Sequence, residues 1–158
     1  MIATVWQGIT RPVAVQTITD WDALKEQLHQ HRATLNKKTG RLWSPVTLKA
    51  GTYTRANANI EAVTALVLDF DAGERWRDVR QQLDGEWVAY TTFSHSGWGE
   101  RFHVVKRLAQ PVAAAEWPDV YRKAAARYGK ADNLPAPSHS YYLPQHQPGM
   151  QHWTEASA

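Results

Sequence analysis

The chain has 158 residues, of which 43% are hydrophobic and 21% charged, a composition typical of one folded domain rather than of a disordered chain. It contains no cysteine, which excludes a disulfide scaffold, a thiolate zinc site and a cysteine nucleophile. The net charge of +3 permits a polyanionic partner without requiring one.

A first strand is predicted at the N-terminus, in the stretch ATVWQGI. The N-terminal residues lack the charged and then apolar pattern of a secretory signal. No apolar run in the chain reaches the roughly 20 residues that a membrane span needs. We therefore expect a cytoplasmic protein that does not act at a membrane.

A helix is predicted over residues 19–35, TDWDALKEQLHQHRATL, with Thr19 as its N-cap. Apolar residues recur there at helical spacing and lie on one face: Trp21, Leu24, Leu28 and Leu35. The following stretch NKKTGR contains no apolar residue and predicts an exposed loop.

The centre of the chain predicts strands. Residues 63–70, VTALVLDF, form a continuous apolar run that is typical of a strand covered on both faces. A short helix is predicted in residues 74–83. Residues 87–94, WVAYTTFS, and residues 101–108, RFHVVKRL, flank a glycine-bearing turn and predict a hairpin.

The last third of the chain predicts one more helix, in residues 113–129, and a short strand, HSYYLP, in residues 139–144. The order of the elements predicts an α+β fold, with a mixed and mostly antiparallel sheet flanked by helices. We expect one domain over residues 1–144, followed by a flexible tail over residues 145–158.

Two aspartates end the predicted central strand, in the stretch LVLDFD. Asp69 and Asp71 are two residues apart, so in an extended chain both carboxylates point to one face and Phe70 points to the other. Carboxylates this close repel each other unless a cation lies between them, and oxygen ligands favour Mg²⁺ or Mn²⁺. For the pair alone, solvated aspartates at the start of a loop are an equally good interpretation.

The stretch SHSGWGERFHVV has the residue types of an anion-binding site. Arg101 and His103 are two residues apart and share a strand face, and the glycine-bearing turn before them can bring backbone N–H groups close to a phosphate. A histidine on a half-exposed strand would not by itself indicate a ligand. The Ser96 hydroxyl and the His95 ring precede this strand in the same turn. The predicted phosphate-binding residues are therefore His95, Ser96, Arg101 and His103.

Asp132 follows the last predicted helix, where a lone aspartate is most often a cap or turn residue. If the fold returns it to Asp69 and Asp71, three carboxylates, a histidine and an arginine make a two-metal phosphoryl-transfer site. In such a site the metal ions activate an attacking 3′-hydroxyl and stabilise the leaving pyrophosphate.

With these three motifs in this order, residues 50–144 resemble the archaeo-eukaryotic primase superfamily, in particular the small primase–polymerase domains of plasmids, phages and integrated elements. LVLDFD resembles the first motif of that family, and SGWGERFHVV resembles the second, whose histidine contacts the nucleotide phosphates. Asp132 matches the later aspartate of the family. The stretch PSHSYYLP resembles the segment that follows it, although His139 stands where relatives often have arginine.

The resemblance implies a core similar to that of RNA-recognition domains and the activity of a DNA primase or polymerase. Such an enzyme transfers NTPs or dNTPs onto a 3′-hydroxyl or a first nucleotide on a single-stranded DNA template, in the replication of a mobile element. It implies that Asp69, Asp71 and Asp132 are catalytic and hold two Mg²⁺ or Mn²⁺ ions, while His103 binds the nucleotide. A replicative helicase domain or protein is an implied partner.

Several basic and aromatic residues fit a nucleic-acid groove, although each alone is ordinary surface. The candidates are Lys106, Arg107, Arg55 and Trp98, the last because its turn adjoins the predicted phosphate site. Further basic candidates are Lys37, Lys38, Arg41 and Lys49.

Two alternatives stay open. A hydrophobic strand followed by Asp-x-Asp also begins haloacid-dehalogenase-type phosphatases, but these usually have Thr or Val where this chain has Gly73, and they need a later acidic cluster that the sequence lacks. The second alternative is a catalytically degenerate primase-like module that only binds nucleic acid. Two acids at the end of the central strand disfavour it, because they repel a phosphate backbone unless a metal is bound.

Overall fold

The computed structural model describes residues 1–129 and 131–158. Its strands are β1 (Ala3–Gln7), β2 (Val13–Ile18), β3 (Arg32–Ala33), β4 (Leu42–Ser44), β5 (Val46–Leu48), β6 (Ile60–Phe70), β7 (Trp87–Thr91), β8 (Phe102–Ala113), β9 (Tyr141–Tyr142), β10 (Gln145–His146) and β11 (Thr154–Ala156). The helices are α1 (Trp21–His29), α2 (Trp76–Arg80) and α3 (Trp117–Ala125), with short 3₁₀ turns at Lys37–Thr39, Asn57–Asn59 and Ala126–Tyr128. None of the helices in these described ranges has the length and apolar content to cross a membrane.

The main sheet has five strands in the order β11-β7-β8-β6-β5, and every neighbouring pair in it is antiparallel. A second sheet has the order β2-β1-β4-β9, and β10 pairs with β3 alongside it. Antiparallel sheets with helices packed against them confirm the predicted α+β class. The predicted hairpin is confirmed as the pairing of β7 with β8.

Alternation along β6 divides the core into two layers. Leu66, Leu68 and Phe70 face the side covered by α2 and α3. The intervening Ala65 and Val67 face the side covered by α1 and by the second sheet. Because side chains alternate along a strand, Asp69 continues this second face, which is the side of the sheet on which the candidate site is built.

Helix α1 is shorter than the sequence predicts. Its N-cap is Asp20 rather than Thr19, since the Asp20 carboxylate accepts a hydrogen bond from the Ala23 N–H at 2.9 Å. The helix ends at His29 because the chain then pairs as β3 with β10, and Leu35, expected on the apolar face, is 88% exposed. A pairing with residues more than a hundred positions away overrides the local helical pattern here.

Residues 145–158 do not form the expected flexible tail. Strand β10 pairs with β3, and β11 adds an edge strand to the main sheet next to β7. Trp153, between them, stacks close to Trp76 and Phe102, with ring centroids 5.0 and 5.9 Å away. The main sheet and its aromatic packing therefore include the end of the chain.

Candidate active site

The pairing of β6 with β8 places a carboxylate directly beside a histidine. Asp69 is the register partner of His103, and the His103 Nε2 atom lies 3.3 Å from the Asp69 Oδ1 atom. Burial raises the pKa of the Asp69 carboxyl, but the charge of His103 and its hydrogen bond more than offset this effect, so the pKa lies below the usual value. Asp69 is therefore held as a carboxylate in a partly buried position.

A second carboxylate follows immediately after β6. Asp71 forms an ion pair with Arg101, the residue before β8, at 2.5 Å between Oδ1 and Nη1. The Arg101 backbone N–H donates to the His95 Nδ1 atom at 3.1 Å, which fixes the turn that leads into β8. The two acids at the end of β6 thus each face a basic side chain from the start of β8.

The backbone of Asp132 lies beside the end of β6. Its backbone N–H donates to the Asp69 carbonyl at 2.9 Å, and its own carbonyl accepts from the Tyr121 hydroxyl at 2.6 Å. Burial and the negative charges of Asp69 and Asp71 raise the pKa of the Asp132 carboxyl. The negative charges of Asp69 and Asp71 thus add to burial in disfavouring the ionised form of Asp132.

In residues 1–129 and 131–158, no three acidic or histidine side chains already converge as a metal-binding group. Asp69 and Asp71 are directed instead toward His103 and Arg101. The donor chemistry nevertheless fits a hard divalent cation, because the three acids supply only oxygen ligands and their mutual repulsion would be relieved by positive charge.

Tyr90 on β7 holds the site histidine, and the sequence analysis missed it. The Tyr90 hydroxyl lies 2.9 Å from His103 Nδ1 and accepts a hydrogen bond from Trp43 Nε1 at 3.0 Å. Burial raises the pKa of the Tyr90 hydroxyl far above its usual value. In the sequence, a tyrosine within a strand-rich stretch is typical of a core residue, and Tyr90 joins the site only because it is the register partner of His103 in the pairing of β7 with β8.

A cavity of about 180 Å³ opens over Asp69, Asp71 and His103, whereas Asp132 lines a separate, neighbouring pocket. It is lined by Lys37, Asp69, Asp71, Thr92, Phe93, Ser94, Arg101 and His103. The sequence predicts Lys37 only as a general nucleic-acid contact and indicates no role for Thr92 or Ser94. Their hydroxyl groups and the Lys37 ammonium add polar donors to the predicted set.

His95 and Ser96 lie outside this cavity lining. His95 is buried, which lowers its pKa, and its Nδ1 atom is occupied by the Arg101 N–H. Ser96 exchanges two backbone hydrogen bonds with Gly99 and closes a small turn. The geometry gives both residues a part in shaping the turn that precedes β8.

The residues predicted to contact nucleic acid are scattered. Lys106 is paired with Asp84 and also bonds the Tyr128 hydroxyl at 2.6 Å, and Arg107 is paired with Glu86 at 2.7 Å. Arg55 donates to the Ser138 carbonyl at 3.2 Å. Trp98 is fully exposed at the tip of its turn.

His139, which stands where an arginine was expected from the resemblance, lies close to the site. Burial lowers its pKa, and the positive charges of His103 and Arg55 lower it further. Its ring centroid is 4.8 Å from that of Tyr141, whose own ring is 5.2 Å from that of His103. His139 therefore packs at the edge of the site through Tyr141.

Comparison with known proteins identifies a family and a fold. Residues 8–134 match the family model described as VapE N-terminal domain. Among solved structures, the chain matches the archaeo-eukaryotic primase domain of the cyanophage S-2L primase–polymerase, with a TM-score of 0.57 and 16% identity over 99% of this chain and 80% of that one. No curated protein matches the chain. At this level of identity the structural match concerns the fold, and it confirms the expected primase-like α+β architecture.

Proposed function

This chain belongs to the VapE N-terminal domain family and has the fold of an archaeo-eukaryotic primase domain, and from this premise we propose that it is a metal-dependent nucleotidyltransferase. The proposed reaction joins an NTP or dNTP to a 3′-hydroxyl, or to a first nucleotide, on a single-stranded DNA template. We place this activity in the replication of a phage, plasmid or integrated element, with a replicative helicase as partner.

The observation that carries the proposal is the position of Asp132. Its backbone hydrogen bond to Asp69 brings an acid from the region after α3 to the end of β6, where Asp71 also lies. Asp69, Asp71 and Asp132 are the residues that would hold two Mg²⁺ or Mn²⁺ ions. Bound there, such ions would activate the attacking hydroxyl and neutralise the charge on the leaving pyrophosphate.

The basic side chains of the cavity would bind the triphosphate. Arg101 and Lys37 carry permanent charges toward it, and His103 presents Nε2 on the same side as Asp69. With Asp71 serving as a metal ligand, the Arg101 guanidinium would be available to donate to phosphate oxygens. We propose that His95 and Ser96 act indirectly, by shaping the turn that positions Arg101.

A second candidate function is nucleic-acid binding without catalysis. The specific observation in its favour is that Asp71 is already neutralised by Arg101, while Asp69 lies against the His103 ring. The repulsion of a phosphate backbone, which the sequence alone predicted for these two acids, is therefore weaker than expected.

The test is extension of a labelled primer on single-stranded DNA, with each set of nucleotides and with Mg²⁺ or Mn²⁺. We expect Asp69→Asn and Asp132→Asn each to lower the rate of primer extension at least about 100-fold, because each replaces a negatively charged carboxylate ligand of the metal site with a neutral amide. Asp119→Asn, which changes an exposed acid paired with Arg122, is the matched control and should keep the wild-type rate.

The result also separates the alternatives. Oligonucleotide binding without extension in the wild type would support the binding module and contradict the transferase. Phosphate release from a simple phosphate ester, lost in Asp69→Asn, would instead favour a phosphatase.

A further inference from the structure

A pocket of about 460 Å³, lined by many polar side chains, lies next to the candidate active site. We call it the basic pocket; its polar lining includes Gln7, Gln27, Gln30, Arg32, Arg41 and Gln145. No acidic residue in the described part of the chain lines it. A surface that combines free positive charge with carboxamide hydrogen-bonding groups is suited to a phosphate-bearing ligand.

One short segment brings the two arginines together. The Arg32 N–H donates to the Pro144 carbonyl at 3.1 Å, and the Leu143 N–H donates to the Arg41 carbonyl at 3.0 Å. Gln145 is in turn the register partner of Arg32 in the pairing of β10 with β3. Consecutive residues of one extended segment therefore anchor both arginines, which holds them on the same rim of the basic pocket.

Both arginines are exposed, and within residues 1–129 and 131–158 neither has an acidic partner. This distinguishes them from Lys106 and Arg107, whose charges are neutralised by Asp84 and Glu86. An unpaired guanidinium keeps its full capacity for bidentate contact with a phosphate. The charges of these two arginines are thus available to a ligand in the basic pocket.

The basic pocket and the candidate active site share a wall. Lys37, at the start of the 3₁₀ turn, lines the catalytic cavity, whereas Thr39 and Gly40 of the same segment line the basic pocket. Gln145, only 2% exposed, donates from Nε2 to the Lys37 carbonyl at 2.9 Å and so fastens this wall from behind. A ligand extending past Lys37 in one direction would reach the catalytic cavity, and in the other it would reach the two arginines.

We propose that the basic pocket binds the phosphate backbone of single-stranded nucleic acid, with Arg32 and Arg41 contacting successive phosphates. The backbone rather than a base is favoured, because the described residues that line the pocket include no Phe, Tyr or Trp to stack on a base. Only the direction of the strand, toward the catalytic cavity, rests on the proposed function. Strand binding itself is independent of it.

The test measures the affinity of the full chain for a fluorescent 20-nucleotide oligothymidine, by anisotropy over a range of salt concentrations. Each phosphate contact to a single strand contributes about 0.7 to the slope of log K against log salt. The double variant Arg32→Gln/Arg41→Gln should lower that slope by about 1.4 and weaken binding about 20-fold at 0.1 M salt. The matched control is Arg77→Gln/Arg122→Gln, which removes the same charge from arginines paired with Asp78 and Asp119 and should leave the slope near that of the wild type.

The outcomes decide the proposal separately from the transferase. If both double variants lower the slope equally, net charge rather than the basic pocket binds the strand, and the proposal is overturned. It is also overturned if the Arg32/Arg41 variant loses affinity for ATP or dATP but not for the oligonucleotide.

If Asp69→Asn binds the strand like the wild type and the wild type extends no primer, the proposal of strand binding stands while the proposed transferase activity fails. Arg41→Gln alone, expected to lower the slope by about 0.7, serves if the double variant does not fold.

Discussion

Individual side chains in the candidate site are held by partners on several different elements. His103 is fixed at both ring nitrogens, by Tyr90 on one side and by Asp69 on the other. The Tyr90 hydroxyl is in turn held by the Trp43 indole of the second sheet. A ring fixed in this way presents its Nε2 edge to the cavity in one orientation, which reduces the ordering that a bound phosphate would require.

Replacing Tyr90 with Phe should therefore reduce stability. The hydroxyl is buried, and its loss leaves Trp43 Nε1 and His103 Nδ1 without that partner, at a cost of about 1–3 kcal/mol in the free energy of unfolding. Urea unfolding at pH 7 measures this cost. Tyr53→Phe, the same change at an exposed tyrosine, should lie within about 0.5 kcal/mol of the wild type. Equal unfolding midpoints for both variants would contradict the role given to Tyr90.

The site could be predicted from the sequence only in part, at the level of single residues. The spacing of Asp69 and Asp71 placed two acids together, whereas Asp132 was a candidate only on the condition that the fold returned it to them, an expectation that the resemblance strengthened. Tyr90 and Lys37 join the site through pairing across β7–β8 and through the turn before β4, and neither position carries a local signal. His95, selected for its residue type, is buried and fixes the backbone instead.

At the scale of elements, the long strands were predictable, and among the two-residue strands only β9 was, within the predicted segment 139–144. β6 and β8 are 11 and 12 residues long and carry strong apolar patterns. β3, β9 and β10 have two residues each, and they exist because distant segments pair with them. A strand of two residues has no measurable periodicity. For this reason the sequence prediction placed the end of helix α1 too late, and it predicted a flexible tail where residues 145–158 contain β10 and β11.

The wall between the basic pocket and the catalytic cavity requires a glycine. A Cβ atom at Gly40 would lie 2.5 Å from the buried Gln145 Oε1 atom, and Gln145 is fastened to Lys37. Gly40→Ala must push this side chain aside, which should cost about 1–3 kcal/mol. Thermal unfolding measures the cost, and Gly97→Ala is the control, because a Cβ there meets no atom within 4 Å. An unchanged Tm for Gly40→Ala would show that Gln145 moves freely.

For the molecule as a whole, several histidines are placed where they resist protonation. Burial lowers the pKa of His31 to about 4, with further lowering from the charges of His152 and His146. Burial also lowers the pKa values of His95 and His139. These three residues lie in different parts of the fold, so their effect belongs to the stability of the whole chain rather than to one site.

Stability should therefore fall as the pH decreases from 7 to 5. The unfolded chain binds protons at these histidines as the pH falls through about 6.5, whereas the folded chain takes up the proton at His31 only near pH 4. Stability is fully present above the unfolded pKa and is lost progressively between these two values. The lowered pKa of Asp69 acts only below this window, and the raised pKa of Asp132 acts in the opposite direction from a largely exposed position.

His31→Gln removes the largest of these contributions and should unfold in urea with a smaller difference between pH 7 and pH 5 than the wild type shows. His29→Gln, the same change at the exposed end of α1, controls for the loss of a histidine on that surface and should keep the wild-type difference. The variant can be less stable than the wild type at pH 7, because it loses the hydrogen bond to Thr154, so the comparison rests on the pH difference and not on either midpoint alone. A His31→Gln protein that loses as much stability as the wild type would show that His31 is protonated in the folded chain above pH 5.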